Sequence, residues 1–177
     1  MIGPFEISRI VLCSADASPK SQRRELDNAA YFYPGAKWVG TLRNAARKLG
    51  CKFVILTTAH GLVNPEERIA PYDLALRHRE NEERIQAIWR ETFPRIIKKG
   101  GYDIFIICFG GCPRDPALDM IGQILSPMNI SLMTFGKPNM FDIGKAEEIV
   151  DCLQKGTSLD KMKSFLKCPD RLKFIPA

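Results

Sequence analysis

With 177 residues, 45% of them hydrophobic and 26% charged, the chain is long enough for one core and has an ordinary globular balance, which excludes a disordered body. No apolar run approaches the length that spans a bilayer, and residues 1–8 lack the basic and apolar regions of a signal peptide, so the expected location is the cytoplasm. A net charge of +6 suits a polyanionic partner or an anionic small substrate, although the basic residues are dispersed and no basic stripe is interleaved with aromatics.

In chain order, residues 7–13, carrying Ile7, Ile10, Val11 and Leu12, read as a first strand. A helix over 36–49 follows, with Trp38, Val39, Leu42, Ala45, Ala46 and Leu49 at helical spacing and Gly50 as its stop. Residues 53–56, FVIL, give a second strand. Residues 78–99 form a second helical region, polar at first and then bearing Ile85, Ile88, Trp89, Phe93 and Ile96. Pro94 is expected to kink or split that helix, and Gly100-Gly101 to end it.

The run IFIIC at 104–108 is a third strand, and Asp115-Pro116 reads as an N-cap and first position of a helix to about Leu125. A fourth strand lies at 130–133, and closing helices at 144–153 and 159–166. Runs that are apolar on consecutive positions suit strands buried on both faces. The alternation predicts an α/β fold in a single domain over 1–177: a three-layer α/β/α sandwich around a central, mainly parallel, four-stranded sheet.

Six cysteines stand at 13, 51, 108, 112, 152 and 168. Without a secretory signal, reduced thiols are expected rather than disulfides. Cys13, Cys108 and Cys112 all fall at or beside strand ends, and with His60 they make an inventory for zinc or an iron–sulfur cluster. Their spacing is irregular and buried thiols explain them as well, so no metal and no cofactor is expected.

Ligands of open α/β sheets bind beyond the carboxyl ends of the strands. That rule selects three loops: Cys13-Ser14-Ala15-Asp16 running on to Lys20, Thr57-Thr58-Ala59-His60-Gly61-Leu62 running on to Pro71-Tyr72-Asp73, and Phe109-Gly110-Gly111-Cys112-Pro113-Arg114-Asp115. For His60, a general acid or base, or a group holding a substrate oxygen, stands against a ring that ties its loop to backbone carbonyls. Asp73 either activates a water or orients His60, or it caps a following helix. Tyr72 either stacks on a base or packs in the core. Ser14 and its neighbouring N–H groups are read as binding an anion or a base carbonyl, with Asp16 as an acid and Lys20 as a cation. Gly110 and Gly111, ahead of a helix, present N–H groups to an anion, and Arg114 adds charge.

Cys13-Ser14, Lys20, the run Ala59-His60-Gly61-Leu62 and Pro71-Tyr72-Asp73-Leu74-Ala75-Leu76 together resemble a family of small domains akin to the peroxide-stress protein YaaA. The same family is similar to the uracil-DNA glycosylase-like domains of archaeal tRNA-guanine transglycosylase relatives. The resemblance covers roughly the first half of the chain. It implies a glycosylase-like α/β/α fold and a site for a nucleobase, nucleoside or nucleic acid. The sequence departs from true uracil-DNA glycosylases in lacking a Gly-Gln-Asp-Pro-Tyr-type water-activating loop and a His-Pro-Ser-type leucine loop.

The leading expectation is a nucleobase-, nucleoside- or nucleotide-handling protein, with N-glycosidic cleavage or transfer as the reaction if it is an enzyme. His60 and Asp73 are the catalytic candidates. Cys13, Ser14, Asp16, Lys20, Gly61, Tyr72, Gly110, Gly111 and Arg114 are the binding candidates. A non-catalytic nucleic-acid-binding module is the first alternative. A small hydrolase using Ser14 or Cys13 is the second, and it lacks a nucleophile elbow with flanking glycines.

Overall fold

The computed structural model describes residues 1–15, 27–28, 37–109, 114–136 and 140–177, the side chains of Asp27, Asn28, Arg114, Met140 and Phe141 aside. A short 3-10 turn at Ile7–Arg9 leads into β1 (Ile10–Ala15), every residue of which is buried. β2 (Asp27–Asn28) lies within the connection to α1 (Lys37–Leu49). β3 (Lys52–Thr57), β4 (Gly61–Val63) and β5 (Arg68–Ile69) precede α2 (Glu82–Ile96). β6 (Ile104–Cys108), α3 (Arg114–Leu125) and β7 (Ser131–Thr134) follow. The chain closes with α4 (Met140–Ile143), α5 (Ala146–Gln154), α6 (Leu159–Lys163) and β8 (Lys173–Ile175).

The sheet is mixed and six-stranded, in the order β4-β3-β1-β6-β7-β8. This corrects the expectation of four strands. The four expected strands are its centre and run parallel to one another, while β4 and β8 flank them antiparallel. Both edge strands have three residues, too few to display a period of two, and β8 is largely exposed. The central strands are legible for the opposite reason: β6 is buried at every position, so its sequence is apolar throughout.

Other boundaries shift for local reasons. The first strand starts at Ile10 rather than Ile7, because the Arg9 N–H closes a 3-10 turn onto the Glu6 carbonyl at 2.9 Å. Ser14 therefore lies inside the strand. Pro94 does not split α2, which continues to Ile96. So near the helix end proline forfeits a single bond, the one its N–H would have made to the carbonyl four residues back. α3 begins at Arg114, which puts Asp115 and Pro116 in the first turn, where no backbone donor has an intrahelical partner.

Phe93 of α2 stacks obliquely on Phe105 of β6, with ring centroids 5.5 Å apart. α1 packs on β1 and β3 and touches α4 and α5, whereas α2 packs on β4 and touches α3, which packs on β7. The chain leaves β1 for β3 in one direction and leaves β6 for β7 in the other. Strand order thus reverses between β1 and β6, where Ser14 is the register partner of Cys108. Such a reversal opens a crevice at the carboxyl ends of the two strands. None of the described helices is long and apolar enough to cross a membrane.

Candidate functional site

β3 ends in Thr57 and is followed by the turn 58–60, which reverses the chain into β4. The turn is built on hydroxyls. Thr57 Oγ1 accepts the His60 N–H at 2.9 Å and donates to the Gly61 carbonyl at 3.2 Å. The Trp89 indole N–H donates to the Thr57 carbonyl at 2.9 Å, which anchors the turn on α2. Thr92 Oγ1 accepts the Leu62 N–H at 3.1 Å and donates to Ile88 O at 2.9 Å. Gly61 has a φ of +67°, and a Cβ there would lie 2.0 Å from Thr92 Oγ1. Its role is thus to let β4 close onto α2, since no other residue fits.

The segment after β4 folds back over this turn. The Thr58 hydroxyl donates to the Leu74 carbonyl. His60 Nε2 lies 2.9 Å from the Ala70 carbonyl oxygen. A carbonyl only accepts, so Nε2 carries the proton and donates, and the neutral ring has its lone pair on Nδ1. The His60 ring stands edge-on to Tyr72, centroids 5.4 Å apart at 81°. Tyr72 is buried, whereas Asp73 is exposed. Among the described residues no hydrogen bond joins Asp73 to His60, and no helix starts at Asp73 for it to cap: the next helical segment is the 3-10 turn that begins at Arg79.

The loop after β1 reaches the same place. β2 pairs antiparallel with β5, Asp27 opposite Ile69 and Asn28 opposite Arg68. The strand that receives this pairing ends one residue before Ala70, the residue that orients His60. The connection between β1 and α1, at Asp27–Asn28, is thereby joined through backbone bonds to the segment that follows β4. Asp16, Lys20, Gly110, Gly111 and Cys112 lie outside the described residues, and Arg114 is described only as the first residue of α3.

Ser14 and Cys13 are fully buried within β1. Among the described residues the Ser14 hydroxyl donates only to the Ala15 carbonyl, at 3.4 Å, and the side chain is buried rather than presented to solvent as a nucleophile. Burial pushes the Cys13 thiol well above its ordinary value, nearby Cys108 adds to the rise, and a backbone bond to Leu56 offsets part of it. A thiol held protonated is a poor nucleophile and a poor metal ligand. Among the described residues no three His, Cys, Asp or Glu side chains gather to hold a metal ion.

Four residues of this architecture escaped the sequence reading as site residues: Thr57, Thr58, Trp89 and Thr92. Thr57 and Thr58 fall in the second selected loop with no role assigned and Trp89 looks like core, so nothing local betrays their hydrogen bonds. Thr134, the last residue of β7, is buried, and among the described residues its hydroxyl has no partner.

The chain matches the model of a family of unknown function, DUF6884, over residues 10–103, and belongs to that family. The matched span begins at β1 and ends just before β6, so it contains His60, Tyr72, Asp73 and the β2–β5 pairing but not Gly110, Gly111 or Arg114. No curated protein matches the chain. No solved structure matches it either.

Proposed function

We propose that this member of the DUF6884 family binds a nucleobase-bearing ligand, a free base, nucleoside or nucleotide, beyond the carboxyl ends of β1, β3 and β6, and cleaves or transfers its N-glycosidic bond. The observation that carries the reading is the β2–β5 pairing, which brings the loop after β1 onto the segment that orients His60. The reversal of strand order between β1 and β6 supports it, since ligands of open α/β sheets gather there. Given the strand order, the right-handed rule for parallel crossovers would set α1 on one face and α2 and α3 on the other, which favours a three-layer arrangement of the uracil-DNA glycosylase-like type.

His60 has the clearest part. With Nε2–H committed to Ala70, its Nδ1 takes a proton from the attacking water, whose hydroxyl joins the sugar carbon as the base departs with the electrons of the C–N bond. The imidazolium then returns that proton to the base. The T-shaped contact with Tyr72 fixes the imidazole plane. Asp73, exposed on the same segment, stabilises the cationic sugar that develops as the bond to the base breaks. The N–H groups after Ser14 and around Gly110 and Gly111 receive the base carbonyls or a phosphate, with Asp16, Lys20 and Arg114 supplying charge.

The test is a thermal-shift screen of free bases, nucleosides, nucleotides and short oligonucleotides at two salt concentrations. A ligand at a hundredfold excess over its dissociation constant stabilises the fold by about 2.7 kcal/mol. The expected result is a shift by a base or nucleoside in the wild type that His60→Ala abolishes. Shifts by oligonucleotides alone, and only at low salt, would replace this reading with a nucleic-acid-binding module without chemistry.

A further inference from the structure

The opposite end of the sheet carries a second concentration of polar groups. Lys52, the first residue of β3, and Asn64, just beyond β4, are shared by two adjoining concavities of about 290 and 380 Å³. α1 contributes Arg43 and Arg47 to the first, and α2 contributes Arg95 to the second. Two carboxylates are present, and each is engaged: Glu66 by Arg43 at 2.6 Å and Glu67 by Arg95 at 3.2 Å. Lys52 Nζ instead donates to the neutral Asn64 Oδ1 at 2.8 Å, so among the described residues no carboxylate is paired with it. With that oxygen engaged, the Asn64 amide is left with N–H donors to offer. Arg47 is exposed on α1 and lines the same concavity as Lys52.

We propose that this basic concavity binds a phosphate group, at a place separate from the carboxyl-end loops and independent of the reaction assigned there. A guanidinium and an ammonium flanking an amide donor suit phosphate oxygens, which accept from all three. Phe53 is the one aromatic residue in the two linings and is buried, so no face is offered on which a base could stack. The ligand is therefore held by its phosphate and not by its base. That phosphate belongs either to a small phosphorylated molecule or to a nucleic-acid backbone.

The two sources are separated by titrating the protein with inorganic pyrophosphate, by calorimetry, and with a short labelled DNA duplex, by fluorescence anisotropy. The double variant Arg47→Glu/Lys52→Gln is compared with Lys161→Glu/Lys163→Gln, which makes the same change in net charge on α6. The expected result is that at least one probe binds the wild type and that the first variant binds it about tenfold more weakly or worse. If the duplex is the ligand, the salt dependence of its log affinity loses about 2 in slope, one for each phosphate contact removed. Pyrophosphate binding identifies a small phosphorylated ligand, and duplex binding alone identifies the backbone. Arg47→Glu by itself, at an exposed helical position, keeps the test informative should Lys52 be needed for folding of the β3–β4 hairpin. The proposal is overturned if neither probe binds, if the first variant binds as the wild type does, or if both double variants weaken binding equally.

Discussion

At the amino ends of β1 and β6 the polar contacts are charged and near the surface: Arg9 grips Asp103 through Nε and one terminal nitrogen at 2.6 and 2.5 Å, and its other nitrogen reaches the Gly100 carbonyl at 3.1 Å. At the carboxyl end of β3 the contacts are neutral and mostly buried, running from Trp89 to Thr57 and from Leu62 to Thr92. Exposed ion pairs are screened by salt and titrate with pH, so they contribute little and variably. Buried neutral bonds add only modest stability when made, but each group left without its partner is expensive. The contrast means that the turn after β3 is more firmly anchored than the amino ends of β1 and β6.

The largest expected effect is at Gly61. Replacing it with alanine forces a left-handed backbone on a residue with a Cβ and drives that Cβ into Thr92. Gly61→Ala is expected to cost about 3 kcal/mol, read as a lower urea midpoint. Trp89→Phe removes the indole donor, strands the Thr57 carbonyl and leaves a cavity, for about 2 kcal/mol in the same assay. Thr92→Val keeps the shape but removes the acceptor of the Leu62 N–H, for about 1 kcal/mol. Should Gly61→Ala and Trp89→Phe leave the midpoint unchanged, the claim of a firmly anchored turn after β3 fails.

The smallest effect belongs to the other end. The Arg9 guanidinium holds the Asp103 carboxyl below its ordinary value of 3.8 and is itself raised by that contact. A carboxylate whose value is lower in the folded state stabilises the fold fully above about pH 4, the unfolded value, and loses that contribution as pH falls through the folded one. Asp103→Asn should therefore flatten part of the acid limb of a stability-versus-pH curve and change little at neutral pH, because the pair is more than a third exposed. High salt should reproduce the same loss in the wild type.

The comparison also explains what the sequence reveals and what it hides. Strands β1, β3, β6 and β7 are legible because burial on both faces demands apolar residues at consecutive positions, as in FVIL and IFIIC. The edge strand β8 and the pairing of Asp27-Asn28 with Arg68-Ile69 are not, since strands of two or three residues are too short to show a pattern. His60 is prominent as one of two histidines, and its placement after an apolar run points to a loop at a strand end. Its partner is a backbone carbonyl, and any residue at position 70 other than alanine would supply the same atom, so Ala70 leaves no trace in the sequence. Ser14 is placed differently for the reverse reason: a strand that ends two residues later than expected, at Ala15, makes a loop hydroxyl a buried one.

The most direct test of ligand binding beside His60 is the nitrogen NMR spectrum of the two imidazoles, with His78→Gln used to assign them. In the free protein His60 should show a protonated Nε2 and a bare Nδ1. A base or nucleoside that presents an N–H donor should then move the Nδ1 signal without disturbing Nε2, while its N-methylated counterpart should not. A His60 ring protonated on Nδ1 and bare at Nε2 would contradict the orientation by Ala70, and an Nδ1 signal that stays put at saturating ligand would contradict the site.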